Sequence, residues 1–203
     1  MEQTFNIEGL FPVPMYTAQF PRTISNEEFA AVKSRKHEII KNVGNISSKD
    51  SNVLQLTQLK ELKDWIYANL QNFIQKIYQP KHNITCEITE SWVNFTGANS
   101  YHHEHLHPNS IISGVYYFKT TGPSDSIVFS KYVKSYYVEN IGFTPFNVDS
   151  ISVNVNPGKL ILFPSDLLHS VPKNTTTNER VSLSFNTFFK GTLSTRFAIS
   201  LEL

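Results

Sequence analysis

Up to Pro80 the apolar positions recur at threes and fours; beyond it they recur at twos. This change of period predicts a helical part followed by a strand-rich part. Ser25 and Glu28 form an S-x-x-E capping box, with Phe29, Val32, Ile39 and Ile40 as a helical stripe behind it. Leu59, Leu62, Ile66, Leu70, Phe73 and Ile77 make a stronger stripe. It predicts a helix over 59–78, closed by Pro80 and packed on the outside of a sheet. Residues 10–20 hold two prolines among apolar side chains and read as an edge strand or an irregular segment. Residues 43–52 are polar and read as a loop.

After Pro80 the pattern predicts strands at 84–95, 111–120, 126–132, 150–155, 159–163 and 180–189. Thr121-Gly122-Pro123, Asn156-Pro157-Gly158 and the polar run 174–178 supply turn chemistry between them. Residues 132–146 form an aromatic-rich insert without a clear period. Helices first and antiparallel strands afterwards predict a mainly β fold with flanking helices, a sandwich or open barrel covered on one face. One domain is expected over 1–203. Within it, 1–82 supply a strand and packing helices, 83–191 the core and 192–203 a last strand, whose edge could pair with a second copy.

Composition narrows the function classes. The 203 residues are 40% hydrophobic, with fifteen Phe and nine Tyr, enough for a real core. Net charge is +1 without a basic block, so a phosphate-tracking nucleic-acid surface is not indicated. Cys86 is the only cysteine, which precludes an internal disulfide and fits a reducing, cytoplasmic setting. The N-terminus lacks a basic-then-apolar signal pattern, and no stretch approaches the ~20 apolar residues that span a bilayer. No membrane partner is expected.

The chemistry concentrates in two places. His102, His103, His105 and His107 fall within six positions, directly before an apolar strand. His105-x-His107 places two imidazoles on one side of an extended segment, where both could reach one ion at about 2.1 Å. His103-x-His105 has the same spacing, and His102-x-Glu104 is a competing pair on the other face. His169 follows the apolar strand 160–163 and its turn as a third candidate ligand. The polar run after it predicts an antiparallel return that brings Arg180 close to His169. From there Arg180, Ser182, Ser184 and Asn186 alternate with Val181, Leu183 and Phe185. Arg180 with Ser182 two positions on is a natural carboxylate clamp, because guanidinium binds carboxylate through two charge-assisted hydrogen bonds.

His105-x-His107, His169 and Arg180-Val181-Ser182 together resemble the Fe(II)- and 2-oxoglutarate-dependent oxygenases. The resemblance is to a branch related to prolyl hydroxylases and found in marine bacteria and phages. It is carried by Trp92-x-Asn94, by the H-x-x-H-x-H-P and S-G-V-Y-Y run from His102 to Tyr117, by the P-G-x-L-x-x-F-P-S-x-x-x-H-x-V block from Pro157 to Val171, and by R-x-S-x-S-F-N from Arg180 to Asn186. It implies a double-stranded β-helix, a jelly-roll-like, cupin-type barrel. It implies iron on His105, His107 and His169, and 2-oxoglutarate as cosubstrate held by Arg180 and Ser182. Asn94, Tyr116, Tyr117 and Asn186 would line the cosubstrate pocket, and His102 would be a supporting or substrate contact. The reaction implied is hydroxylation of a small-molecule or peptide substrate with release of succinate and CO2.

One departure stands out: His107 occupies a position where the family usually has a carboxylate. Glu104 or Asp166 could supply a carboxylate instead, or the site is three-His, a set that also suits zinc. Two other classes stay open at this point. One is a cupin-like metalloprotein that does not use 2-oxoglutarate. The other is a non-catalytic jelly-roll binding module with Tyr132, Tyr136 and Tyr137 as contact aromatics.

Overall fold

The computed structural model describes residues 6–132, 138–196 and 201–203. The elements in chain order are β1 (Tyr16–Gln19), α1 (Asn26–Ser34), β2 (Ile39–Lys41), β3 (Ile46–Ser48), α2 (Lys60–Ile77), β4 (Ile84–Thr96), β5 (His102–His105), β6 (Ile112–Lys119), β7 (Ser126–Ser130), β8 (Ser150–Asn154), β9 (Lys159–Pro164), β10 (His169–Val171), β11 (Arg180–Ser194) and β12 (Leu201–Glu202). They form a major sheet ordered β1-β9-β6-β11-β4-β3-β2, with β12 beside β11, and a minor sheet ordered β5-β10-β7-β8. Every pairing within these sheets is antiparallel. The chain passes repeatedly from one sheet to the other, which is the double-stranded β-helix arrangement.

The period-two alternation of the central strands gives the major sheet two faces. Val93 and Phe95 on β4, Tyr116 and Phe118 on β6, Leu160 and Leu162 on β9, and Val181, Leu183 and Phe185 on β11 pack against Leu62, Ile66, Leu70 and Phe73 of α2. Burying each such side chain is worth about 1.5–3 kcal/mol, and this layer is the main core. The opposite face looks into the barrel, where Tyr117, Ile161 and Phe163 meet Ile127 and Phe129 of the minor sheet. Trp92 and Asn94 on β4 and Ser182, Ser184 and Asn186 on β11 share this inward parity.

The Ser25–Glu28 capping box forms with both of its hydrogen bonds, at 3.1 and 2.7 Å. Four expectations are corrected. The first helix stops at Ser34, and Ile39 and Ile40 lie in the exposed strand β2. The polar stretch 43–52 is not simply a loop, because β3 pairs with β4 inside it, and Ser47 and Ser48 are buried. The return from His169 to Arg180 is not a hairpin within one sheet. β10 belongs to the minor sheet and β11 to the major one, so the turn crosses the barrel. Buried Asn174 pins that crossing by donating to the carbonyls of Thr96, Gly97 and Asn178 at 3.2, 3.0 and 2.7 Å. Ile77, placed on the α2 stripe by spacing, is 48% exposed, and Ile74 is buried instead.

The glycine of S-G-V-Y-Y has a packing reason. A Cβ on Gly114 would lie 2.1 Å from Cζ of Phe185, its partner across β6 and β11. Gly114→Ala is therefore expected to cost about 1–3 kcal/mol of folding stability in chemical denaturation. Adding Phe185→Leu should recover part of the loss, because the smaller side chain clears the new methyl.

Candidate metal and cosubstrate site

His105 and His169 are register partners across β5 and β10. His107 sits two residues beyond β5, held by its backbone N–H donating to Ser165 O at 2.9 Å. The result is a triangle of rings with centroids 5.0 Å (His105–His107), 4.3 Å (His105–His169) and 5.1 Å (His107–His169) apart. One nitrogen from each ring lies within 4.8 Å of the other two. His105 Nδ1 lies 2.7 Å from His103 O, and His169 Nδ1 lies 2.9 Å from Leu167 O. A carbonyl can only accept, so each Nδ1 carries the proton and each Nε2 presents a lone pair, the tautomer a metal requires. Neither Glu104 nor Asp166 joins this group among the described residues; both are exposed. The group is therefore three-His.

Burial keeps these rings neutral. It pushes His169 down to about 3 and His107 down to about 4, with neighbouring imidazoles adding to the effect. His105 is also lowered, again chiefly by burial. Phe163 and Phe129 wall the site, with ring centroids 4.8 and 6.2 Å from His169. Trp92 lies 5.8 Å from His107 on another side.

Across the barrel Arg180 is 1% exposed. Both terminal nitrogens donate to Ser126 O at 3.2 Å, Nη1 lies 3.4 Å from Asp125 Oδ1, and the guanidinium sits 4.9 Å over the Tyr117 ring. These contacts occupy one end of the group. Among the described residues its Nε is buried without a hydrogen-bond partner, and so is the Tyr117 hydroxyl. Burial raises that hydroxyl to about 12, so it stays protonated and can donate. Nε and the outward hydrogen of Nη2 make a second fork, matched in shape to a carboxylate. An unpartnered buried donor on a charged group costs free energy, and a carboxylate is the group that satisfies it.

Residues 90–186 match the family described as "Putative 2OG-Fe(II) oxygenase". These residues, just under half of the chain, carry its likeness to the 2OG-Fe(II) oxygenase family. Among curated proteins none matches the chain. Among solved structures it is similar to a Pseudomonas putida prolyl-4-hydroxylase, at TM-score 0.55 and 14% identity over 86% of this chain and 92% of that one. It is similar to HygX from Streptomyces hygroscopicus with nickel, 2-oxoglutarate and hygromycin B bound, at TM-score 0.56 and 11% identity over 86% of this chain and 82% of that one. It is also similar to an oxidoreductase of the 2OG-Fe(II) oxygenase family from Burkholderia pseudomallei, at TM-score 0.53 and 14% identity over 84% and 83% of the two chains. At these identities the likeness is one of fold.

Within this barrel the other expected site residues separate into three places. Ser182 and Asn94 face the interior between the two ends, paired in register, and Asn94 Nδ2 donates to Ser184 Oγ at 2.9 Å. The His102 ring stacks on His105 at 4.2 Å, and the charge of Arg180 helps to lower it to about 3, after burial and the neighbouring histidines. Asn186 stands at the metal end, with Nδ2 3.4 Å from His107 Nδ1, rather than beside Arg180.

Tyr116 is a correction. Adjacent strand residues point to opposite faces, so Tyr116 and Tyr117 cannot both enter the barrel. Tyr116 packs edge-on to Phe20 and Trp65 in the helix layer. Tyr132 is exposed on the surface, while Tyr136 and Tyr137 lie outside the described residues. Two polar neighbours of these residues were not foreseen from the sequence, Asp125 beside Arg180 and Glu90 beside Asn186. Asp125 reads as a turn residue, and only the fold sets it against Arg180. Glu90 carried a signal, since Glu90, Trp92, Asn94 and Thr96 alternate with Ser91, Val93 and Phe95.

The neutral imidazoles give a pH dependence with a definite sign. An unfolded histidine takes up its proton near pH 6.5, whereas folded His169 and His107 refuse it until about 3 and about 4. In metal-free protein, stability should be full above about pH 6.5 and fall as the pH drops toward 4, because the unfolded state binds more protons there. Urea midpoints measured against pH in the presence of a chelator test this, and His169→Phe should show a shallower slope.

Proposed function

We propose that this oxygenase is an Fe(II)- and 2-oxoglutarate-dependent hydroxylase whose metal is held by His105, His107 and His169 and whose cosubstrate is gripped at its far carboxylate by Arg180. The observation that supports this best is a pair of unmet demands inside one barrel. Three converging imidazoles lie at one end, and an unpartnered guanidinium N–H lies at the other. 2-Oxoglutarate is an anion with a carboxylate at each end, so one molecule would span from a cation held by the imidazoles to the guanidinium.

In this reading Arg180 receives the distal carboxylate in its free fork, and Tyr117 donates a further hydrogen bond to it. Asp125 and the Ser126 carbonyl hold the guanidinium in that orientation. Ser182, Asn94 and His102 line the path between the two ends. Phe129 and Phe163 exclude water around His169. Iron, when bound, supplies the activation of O2 that couples decarboxylation of 2-oxoglutarate to succinate and CO2 with insertion of one oxygen atom into a substrate C–H bond. Three neutral ligands leave both positive charges of Fe(II) uncompensated by the coordinating atoms themselves.

The substrate class supported is a small molecule or a peptide, in keeping with the printed names of HygX and the prolyl hydroxylase. No described helix is long and apolar enough to cross a membrane. The whole chain is read as one domain, with the β12 edge as the place where a second copy would pair. The lone thiol of Cys86, buried and free, supports work in the cytoplasm.

Incubation with Fe(II), 2-oxoglutarate and ascorbate should release succinate slowly without added substrate. His105→Ala and His169→Ala should abolish it; persistence in both overturns the metal assignment. Arg180→Lys keeps the charge but loses the fork. It should raise KM for 2-oxoglutarate about 10- to 100-fold, the worth of a charge-assisted hydrogen bond, with a smaller effect on kcat. Failure of anaerobic 2-oxoglutarate to change the visible spectrum of the iron-loaded protein would instead favour a cupin-like enzyme that does not use it.

A further inference from the structure

At the metal end burial falls off toward one side. His169 is buried, His105, His107 and Trp92 are partly exposed, and Glu90 is exposed, so this side is the mouth of the site. Glu90 and Trp92 lie two positions apart on β4 and project from the same face of it, about 6.5 Å apart along the strand. The Trp92 ring is 5.8 Å from that of His107. Glu90 is tied to the same end through its register partner Asn186, whose Nδ2 lies 2.7 Å from Glu90 Oε1 and 3.4 Å from His107 Nδ1.

A glutamate in solvent is ordinarily free to turn, and this one is not. Asn186 is buried; while Nδ2 donates to Glu90, its Oδ1 accepts from Ser113 Oγ at 2.9 Å, so the amide cannot turn without losing both bonds. The next register pair after Glu90 and Asn186 is Thr187 with Ile88, which makes Thr89 an extra residue and the strand locally bulged. Such bulges re-aim neighbouring side chains. Thr89 Oγ1 donates to Asn186 O at 3.2 Å and ties the bulge to the same residue. One oxygen of the Glu90 carboxylate is thereby held while the other stays free. Among the described residues no lysine or arginine pairs with Glu90, and none lies over the Trp92 ring.

We propose that Glu90 and Trp92 form a subsite for a cationic group at the mouth of the metal site, so that the substrate carries an ammonium group. The inference deepens the functional reading above and rests on it. A carboxylate held in one orientation offers an ammonium a directed, charge-assisted hydrogen bond, and an indole face attracts cations. Neither contact favours a neutral molecule of the same shape. The same ammonium is offered by a free alkylamine and by a lysine side chain in a peptide.

The test is ligand binding to the full chain with 2-oxoglutarate and with Mn(II) in place of iron, read by proton NMR of the added compound against a Zn(II) control. Two matched pairs serve as probes: pentylamine with pentanol, and acetyl-lysine amide with acetyl-norleucine amide. Near neutral pH the first member of each pair is a cation and the second is neutral. In at least one pair the cation should bind about 5-fold or more tightly than its partner, with its carbon-bound protons broadened by Mn(II). A preference confined to the first pair assigns a free amine; one confined to the second assigns a lysine side chain. Glu90→Gln still accepts from Asn186 but loses the charge, so it should abolish the preference with little change in melting temperature. Trp92→Leu should weaken binding of the cation about 2- to 5-fold. No binding, equal binding within both pairs, a preference that survives Glu90→Gln, or cation binding without Mn(II) broadening would each overturn the proposal. His169→Ala separates this from the reading beneath it. If that variant holds Mn(II) as tightly as the wild type, the three-histidine site itself is wrong; if it loses Mn(II) while the wild type shows no preference for the cations, only the cationic subsite fails.

Discussion

A guanidinium shut inside a barrel has to be paired, and the architecture around Arg180 follows from that demand. Desolvating an isolated charge costs far more than any single packing contact returns. Asp125, the Ser126 carbonyl and the Tyr117 ring carry much of this burden, yet they engage one end of the group and leave Nε free. The barrel therefore holds a charge that is stable enough to stay buried and still competent to bind an anion. A clamp made only of water-exposed lysines would lack both the bidentate shape and the low-dielectric surroundings that strengthen it.

The opposite end solves a different problem with the same materials. Three imidazoles within reach of one ion would repel one another if protonated, and burial keeps them neutral. Backbone carbonyls set the tautomers of His105 and His169 without adding charge. His107 is held differently: its backbone N–H donates to Ser165 O, and the group facing its Nδ1 is the amide nitrogen of Asn186, at 3.4 Å.

Much of this was legible beforehand because it depends on local rules. The capping box at Ser25, the α2 stripe and the period-two strands after Pro80 are all written in spacing, and each formed. The spacing of His105 and His107 with the distal His169 picked out three rings that converge, and the alternation from Arg180 to Asn186 matched the two faces of β11. Parity along β6 even contained the answer for Tyr116, since its neighbour Tyr117 was already assigned inward. The stretch 43–52 misled because its polar residues are buried by pairing with β4 rather than exposed as a loop.

What the chain by itself determined, then, was the set of elements, the faces they present and the residue types available for metal and anion. What only the tertiary structure decided was who meets whom: His169 with His105 across β5 and β10, Asp125 with Arg180, Glu90 with Asn186 beside a bulge. The reason is physical. Periodicity acts over a few residues and records which side of a strand is buried. Sheet membership, register and the crossing turn pinned by Asn174 are set by packing and hydrogen bonds between segments far apart in sequence, and those contacts leave no local repeat to read.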